Sequence, residues 1–381
     1  MEFGWSEEQL ALREQAAAFA QRELNPHERD AGAEPVFDRE LWQRCADFGV
    51  QGAFVPREHG GGGRDVLTTV LMLEGIGHGC RDNGLTLGLN GHMWAVTEPV
   101  LRFGDAAQHG RWLPGLCNGA LIGAHAMTEL ESGSDAFALS TRAQRVDGGY
   151  LLDGHKVYIG LAPVCDLALV FASTNPDRGE WGISAFVVEA SRDGFTAGPA
   201  QQKMGVNGSP LGEVRLSECF VPEANRLGPE GAGVSIFNHS MEWERSFIFT
   251  SHVGAMERQL DEAVRYAGSR RTFGHKIGDY QSVSNRIADM KLRLEVAKLL
   301  MYRCAWLKQT DARIPIDAAL AKLHISEAFL QSSLDAVRIH GAVGYLSEHG
   351  VERDLRDAAG GVIYSGTSDI QRQLIAKLLG V

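Results

Sequence analysis

The hydrophobic period of this chain changes twice, from helical to strand-like and back, and that alternation narrows its possible folds more than any other feature. Up to about residue 120 the period is helical. Ser6, followed by Glu8 and Gln9, opens a segment with apolar positions at Leu10, Leu12, Ala16, Phe19 and Ala20, which predicts an amphipathic helix capped at Ser6. Further helices are predicted around Asp38–Phe48, Asp65–Ile76, Met93–Phe103 and Ala106–Leu116, with Gly- and Pro-bearing loops between them. From about residue 123 short runs rich in β-formers take over, at 149–154, 167–172, 184–189 and 213–216, separated by Gly, Asp or Pro turns. Their spacing predicts a small antiparallel sheet or barrel. After Pro229 the helical period returns, over Val234–Gly268, Tyr280–Lys308, Ile316–His340 and Ser368–Leu379, long enough for a bundle. The chain therefore divides into a helical region at 1–122, a β region at 123–232 and a second helical region at 233–381.

Composition removes several functions. The 381 residues carry 37 Lys and Arg against 48 Asp and Glu, a net charge of −11, which speaks against nucleic acid as a partner. No run of about 18 apolar residues offers a membrane span. The opening MEFGWSEEQL is acidic where a secretion signal needs a basic and then an apolar stretch. The six cysteines are scattered without a CxxC pair, which fits neither a disulfide framework nor a zinc site and suits a reducing cytoplasm.

Two glycine-rich segments resemble nucleotide loops only superficially. Gly60–Gly63 lacks a strand before it and a helix after it. Gly228–Gly233 opens a helix, but its spacing is not GxGxxG and no βαβ unit follows, so a nicotinamide-binding fold is not indicated. There is no HExxH and no GxSxG, and the thirteen histidines do not cluster at ligand spacing, so no metal or serine-hydrolase site is expected.

One acidic residue sits out of pattern. At helical offsets Glu244 is flanked by Phe237, Ser240, Met241, Phe247, Ile248 and Ser251, a largely apolar stripe that turns it inward. A carboxylate there must be paired, protonated or useful, and burial raises its pKa toward that of a working base. The spacing alone leaves an internal ion pair, with Arg245 or a distant Arg, as the alternative. Glu242 lies among Asn238, His239, Arg245 and Ser246 and is expected to be solvated.

Six segments together resemble the acyl-CoA dehydrogenase family. Ala126–Asp135 is similar to its AMTEPxAGSD signature, Gly154–Ile159 to GxKxWI, and Arg270–Gly274 with Gln281 to RxxFG…Q. Ile339–Tyr345 resembles IHGGxGY, Arg353–Asp357 the RDLRD-like stretch, and Tyr364–Arg372 the closing YEGTSEIQR. They lie in order and span nearly the whole chain. The resemblance implies an α+β chain with an N-terminal α-helical domain, a central β-domain and a C-terminal four-helix bundle. It also implies a bound FAD that takes a hydride from the β-carbon of an acyl thioester while a carboxylate removes the α-proton.

Carried over residue by residue, it implies that Met127, Thr128 and Ser134 hold the flavin and ribityl region and that Tyr158 and Ile159 pack on the ring beside Gly160. Arg270, Thr272, Phe273, Gln281, Arg338 and Gly341 would grip the adenine and diphosphate end across a subunit interface, and a homotetramer is expected. Thr367 and Asp369 would close on FAD. Bland readings stand beside these: a turn for Gly341, a helix face for Gln281, the core for Phe273. Ser134, Arg245, Tyr364 and Ser365 are the expected substrate contacts.

The departures carry most of the information. Ser365 occupies the place of the usual catalytic glutamate. A minority of members, the isovaleryl-CoA dehydrogenases among them, place the base on the first long helix of the C-terminal domain directly before an Arg, and Glu244-Arg245 matches that arrangement. Gly160 stands where a Thr or Ser usually reaches flavin N5. Ser240–Arg245 together with Ser365–Ser368 resembles the branch acting on carrier-bound acyl groups, best known for converting L-prolyl-carrier protein to its pyrrolyl form. A short or branched acyl-CoA substrate and an inactive flavoprotein scaffold remain as alternatives, and the electron acceptor is an electron-transfer flavoprotein or oxygen.

Overall fold

Reciprocal caps start the first helix. In the computed structural model, which describes residues 4–26 and 36–381, the Gln9 amide donates to the Ser6 hydroxyl and the Ser6 amide donates to the Gln9 side chain. Two amides that a helix start leaves free are thereby satisfied. Helix α1 (Glu7–Glu23) is followed by α2 (Arg39–Phe48), capped by Asp38, and α3 (Val66–Gly79), capped by Asp65, all three starting where the sequence indicates. Helix α4 (Asn83–Gly91) continues through a π-helical turn at His92–Thr97 into α5 (Glu98–Phe103). The Thr97 hydroxyl donates to the His92 carbonyl, five residues back, at 3.1 Å. Helix α6 (Ala106–Cys117) completes the first region.

The sheet is larger than the sequence predicts and is mixed. It contains β1 (Gly123–Ala126), β2 (Arg142–Val146), β3 (Gly149–Gly160), β4 (Leu167–Ser173), β5 (Ile183–Glu189), β6 (Phe195–Ala197), β7 (Leu211–Pro222) and β8 (Arg226–Leu227). Seven of these run in the order β6-β7-β3-β2-β4-β5-β8, and β1 pairs in parallel with β4. Between β3 and β7 the register advances three residues from Lys156 to Ile159 against two from Val214 to Gly212. The extra residue makes a β-bulge, and Tyr158 within it takes φ 56°. A bulge re-aims its side chain, and Tyr158 is 58% exposed between buried Val157 and Ile159.

The predicted helix over Val234–Gly268 is two helices, α7 (Gly233–Phe247) and α8 (Thr250–Ser269), a correction with a tertiary cause. Phe249 leaves helical geometry at φ −99°, ψ 11°. Its ring stacks on Tyr364 at 5.6 Å and meets His252 edge-on at 5.4 Å. A short hairpin follows, β9 (Arg271–Thr272) with β10 (His275–Lys276), and then α9 (Gln281–Lys308), α10 (Pro315–His340), α11 (Ala342–Tyr345), α12 (Val351–Gly361) and α13 (Ser368–Leu378).

Helix α8 fastens the two helical regions together. A Cβ on Gly77 of α3 would lie 1.7 Å from the Ser251 carbonyl oxygen, and one on Gly254 of α8 would lie 2.0 Å from that of Glu74. The helices therefore touch backbone to backbone, an approach only glycine permits. A buried polar knot ties in the sheet. Asn83 donates to Asp354 at 2.7 Å and to Asp357 at 2.9 Å, Arg258 donates to Asp354 at 3.1 Å, and the Val206 amide donates to Asp357. Burial pushes the Asp357 carboxyl up to about 7 in spite of these donors. Among the described residues no helix is long and apolar enough to cross a membrane, and no cluster of His, Cys, Asp or Glu could hold a metal ion.

Candidate active site

Glu244 lies in the last turn of α7, its carbonyl accepting from the Ile248 amide at 2.7 Å just before the helix breaks. Its carboxylate meets the loop after α12, where the Ser365 hydroxyl donates to Glu244 Oε1 at 2.5 Å. Burial holds this carboxyl above its ordinary range, and the Ser365 hydrogen bond, Arg245 and Lys322 offset only part of that rise. Glu244 forms no ion pair among the described residues, so the internal-pair alternative does not hold.

The surrounding groups are buried donors. Arg245 is held below its usual range by burial, and its Nε has no hydrogen-bond partner. The Tyr364 hydroxyl is likewise buried without a partner. Lys322 of α10, 0% exposed, donates to the Gly361 carbonyl at 2.9 Å, and burial pushes it down to about 8. The sequence reading passed over Lys322. The signal available was a lone cation among Ala318, Ala319, Ala321, Ile325 and Ser326 of one helix. Glu242 corrects an expectation: it is 7% exposed, not solvated. It pairs with Lys308 from the end of α9, whose ammonium lies 4.9 Å over the Trp243 ring.

A second group forms where β1 ends against the bulged end of β3. Buried Met127 offers its carbonyl to Lys156 Nζ at 3.0 Å, and the Thr128 carbonyl accepts from the Val157 amide at 2.9 Å. Lys156 also donates to Glu129 at 2.8 Å, with side chains 0% and 5% exposed. Glu129 accepts further from the amides of Ser140 and Thr141, at 2.6 and 3.0 Å, and from both their hydroxyls. Burial raises this carboxyl, but Lys156 and the four donors outweigh it and carry it down to about 2. The pair fixes the turn that carries Met127 and Thr128 beside Tyr158, buried Ile159 and Gly160. A Cβ on Gly160 would meet nothing within 4 Å. Ser134 stands exposed on the following loop.

The third group lies at the other end of α8, whose 20 residues span about 30 Å. Arg270 follows that helix, and Thr272 and Phe273 sit in the hairpin, where Phe273 takes φ 47° and is 90% exposed, which excludes a core role for it. Tyr280, next to Gln281, donates its hydroxyl to the Thr272 carbonyl at 3.2 Å. Tyr266 packs on His340 at 4.4 Å, bringing exposed Arg338 and Gly341 (φ 63°) to the same end of the bundle. Thr367 caps α13, its hydroxyl oxygen accepting from the Ile370 amide at 3.1 Å, and Asp369 is exposed beside Arg372. One chain therefore brings Glu244, Arg245, Tyr364 and Ser365 together, and keeps the Arg270 group at the far end of α8.

The site is thus a half-buried carboxylate on a helix facing a loop hydroxyl, with a β-domain edge and a distant basic hairpin. Models of the acyl-CoA dehydrogenase N-terminal, middle and C-terminal domains match residues 6–120, 124–219 and 231–380. The chain belongs to the acyl-CoA dehydrogenase family. Among its relatives, the L-prolyl-[peptidyl-carrier protein] dehydrogenase of Pseudomonas fluorescens is 44% identical over 344 residues, 90% of each chain. The crystal structure of the prolyl acyl carrier protein oxidase AnaB superposes with a TM-score of 0.97 at 44% identity, covering 99% of this chain and 100% of that one. PigA with FAD and proline superposes at 0.96 and 38% identity, covering 100% of this chain and 99% of that one.

Proposed function

We propose that this protein is an FAD-dependent dehydrogenase of L-prolyl-[peptidyl-carrier protein], converting the prolyl group toward its pyrrolyl form with Glu244 as the base. The observation that carries the reading is the Glu244 carboxylate, half-buried without an ion pair and met by a neutral hydroxyl at the place of the family's usual glutamate. The prolyl substrate is supported by the names of the relatives above.

The chain's residues fit the cofactor. Tyr158 presents an exposed ring on a bulge, next to open space at Gly160. At the far end Arg270 is exposed and makes no ion pair among the described residues, leaving its forked donors for a diphosphate. Met127, Thr128, Ser134, Ile159, Thr367 and Asp369 complete the proposed holding set, with Arg270, Thr272, Phe273, Gln281, Arg338 and Gly341 serving a neighbouring subunit. When bound, FAD supplies the two-electron acceptor for the hydride, and the electrons pass on to an electron-transfer flavoprotein or to oxygen. Glu244 takes the α-proton, which is weakly acidic beside a thioester and needs an aligned base. The buried donors of Arg245 and Tyr364 lie within the same pocket of charge and contact the substrate.

Anaerobic mixing of the yellow holoenzyme with L-prolyl-carrier protein is expected to bleach the flavin absorbance, while a panel of acyl-CoAs leaves it unchanged. Bleaching by a CoA ester alone overturns the substrate assignment, and bleaching by neither overturns the enzymatic one.

The assembly we propose is a homotetramer. Leu292, Leu299 and Trp306 recur every seven residues along α9 and are 64%, 50% and 39% exposed on the single chain. Burying such a side chain contributes about 1.5–3 kcal/mol. A Leu299→Glu, Trp306→Glu double variant is therefore expected to lower the mass in sedimentation. An unchanged mass removes α9 from the interface.

A further inference from the structure

We propose that Ser365 is the positioning residue of the Glu244 base: its hydroxyl occupies Oε1 and turns the carboxylate so that Oε2 is the oxygen that takes the proton. The inference rests on Glu244 being the base and adds which atom acts and what aims it. Ser365 Oγ lies 2.5 Å from Oε1. Glu244 receives no other side-chain hydrogen bond among the described residues, so Oε2 has none. A hydroxyl has a single proton to donate. Donated to Glu244, it is not available as a donor to the substrate, the contact that sequence resemblance gives Ser365.

The backbone shows that the placement is enforced. Ser365 takes φ 57°, in the left-handed region that a residue with a Cβ adopts only at a cost, followed by Gly366 at φ 82°. The loop is pinned on every side. The Lys322 ammonium donates to the Gly361 carbonyl at 2.9 Å, and the Ser368 amide donates to the Val362 carbonyl at 2.9 Å. Tyr364 stacks on Phe249 at 5.6 Å, and the Gln371 side-chain Nε2 donates to the Gly366 carbonyl at 3.0 Å. The result of these contacts is a hydroxyl delivered to one carboxylate oxygen.

The charged and titratable groups facing Glu244 are Arg245 from α7, Lys322 from α10 and Tyr364 from the same loop as Ser365. The first two act on it through their field, without a hydrogen bond. Ser365 alone acts through direction. A donor to the charged form also favours ionisation, so removing it makes the carboxyl harder to ionise.

The test compares the holoenzyme with its Ser365→Ala, Ser365→Gly and Ser365→Thr variants, following kcat/KM for L-prolyl-carrier protein against pH. Alanine and glycine are both expected to move the acidic limb to higher pH by about one unit, a tenfold loss at a fixed pH on that limb. Their stabilities should diverge. Glycine relieves the left-handed backbone and raises the thermal midpoint; alanine does not. Threonine keeps the hydroxyl and should keep the limb near the parent's, with a lower thermal midpoint because a β-branched residue fits the left-handed region poorly. A merely structural role would make the limb follow stability, and a limb unmoved in both variants overturns the proposal. If the parent enzyme turns over no thioester, the functional reading fails instead. Ser365 is then judged by carbon-13 titration of glutamate-labelled protein, with the Glu244 signal identified by its loss in Glu244→Gln. An unchanged midpoint in Ser365→Ala overturns the inference there as well.

Discussion

Glu244→Gln is expected to leave a yellow, folded protein whose flavin is no longer reduced by L-prolyl-carrier protein at a useful rate. The amide matches the carboxylate in size, and its carbonyl can still accept from Ser365, so the pocket keeps its shape. What is lost is a group able to take the α-proton, and a positioned base contributes roughly 10²–10⁴-fold. The variant also carries a stability signature. Burial raises the folded-state pKa of Glu244. A carboxyl raised in this way favours folding while protonated, and that contribution is lost as pH climbs through the folded value. Glutamine never ionises, so the variant's thermal midpoint at neutral pH should equal or exceed that of the parent. Slow reduction with an unchanged or raised midpoint identifies a missing base. Reduction at the parent rate removes Glu244 from the chemistry.

Lys156→Met is expected to be the most destabilising single change at the site. It leaves Glu129, 5% exposed, as a buried charge without its counter-ion, and breaking a buried pair costs about 3–5 kcal/mol. The Met127 carbonyl loses the same ammonium, so the turn holding Met127 and Thr128 should loosen and the flavin-to-protein ratio should fall with the urea midpoint. The pH dependence has a definite sign. In the parent Glu129 is depressed to about 2, which contributes stability at neutral pH that fades as pH falls toward that value. Without Lys156 the carboxyl protonates at higher pH, so the gap between variant and parent should narrow in acid. A Lys156→Met, Glu129→Gln double variant should recover much of the loss. A urea midpoint equal to the parent's would show that the pair does not hold this turn.

What could be read from the sequence was what short stretches decide. Ser6 announced a helix start because a capping side chain acts on amides a few residues away, and the helices predicted from Asp38 and Asp65 start just after those residues, which the structure shows to cap them. Glu244 stood out because its neighbours on one helix face are apolar. Strands β1, β2, β6 and β8 were missed, since GAHA, RAQRV, FTA and RL are too short or too polar to show a period. The break at Ile248–Phe249 carries no glycine or proline and follows from a ring stacked on Tyr364. Glu242 was misread for the same kind of reason: its partner Lys308 lies 66 residues on, at the end of another helix. Ser365 was noticed as a departure, but its bond to Glu244 spans 121 residues and only the fold discloses it.

The knot at Asn83 has a consequence for how the molecule can be taken apart. Three family models divide the chain almost without remainder, which invites treating its regions as interchangeable modules. Yet Asp357 in the last region accepts hydrogen bonds from Asn83 in the first and from the Val206 amide in the middle one. No single region can satisfy that carboxylate by itself. A chimaera that exchanged one region for a relative's would inherit two halves of unmatched hydrogen bonds in a dry interior, so recombination among such proteins has to carry the residues of the seam along with the region they join.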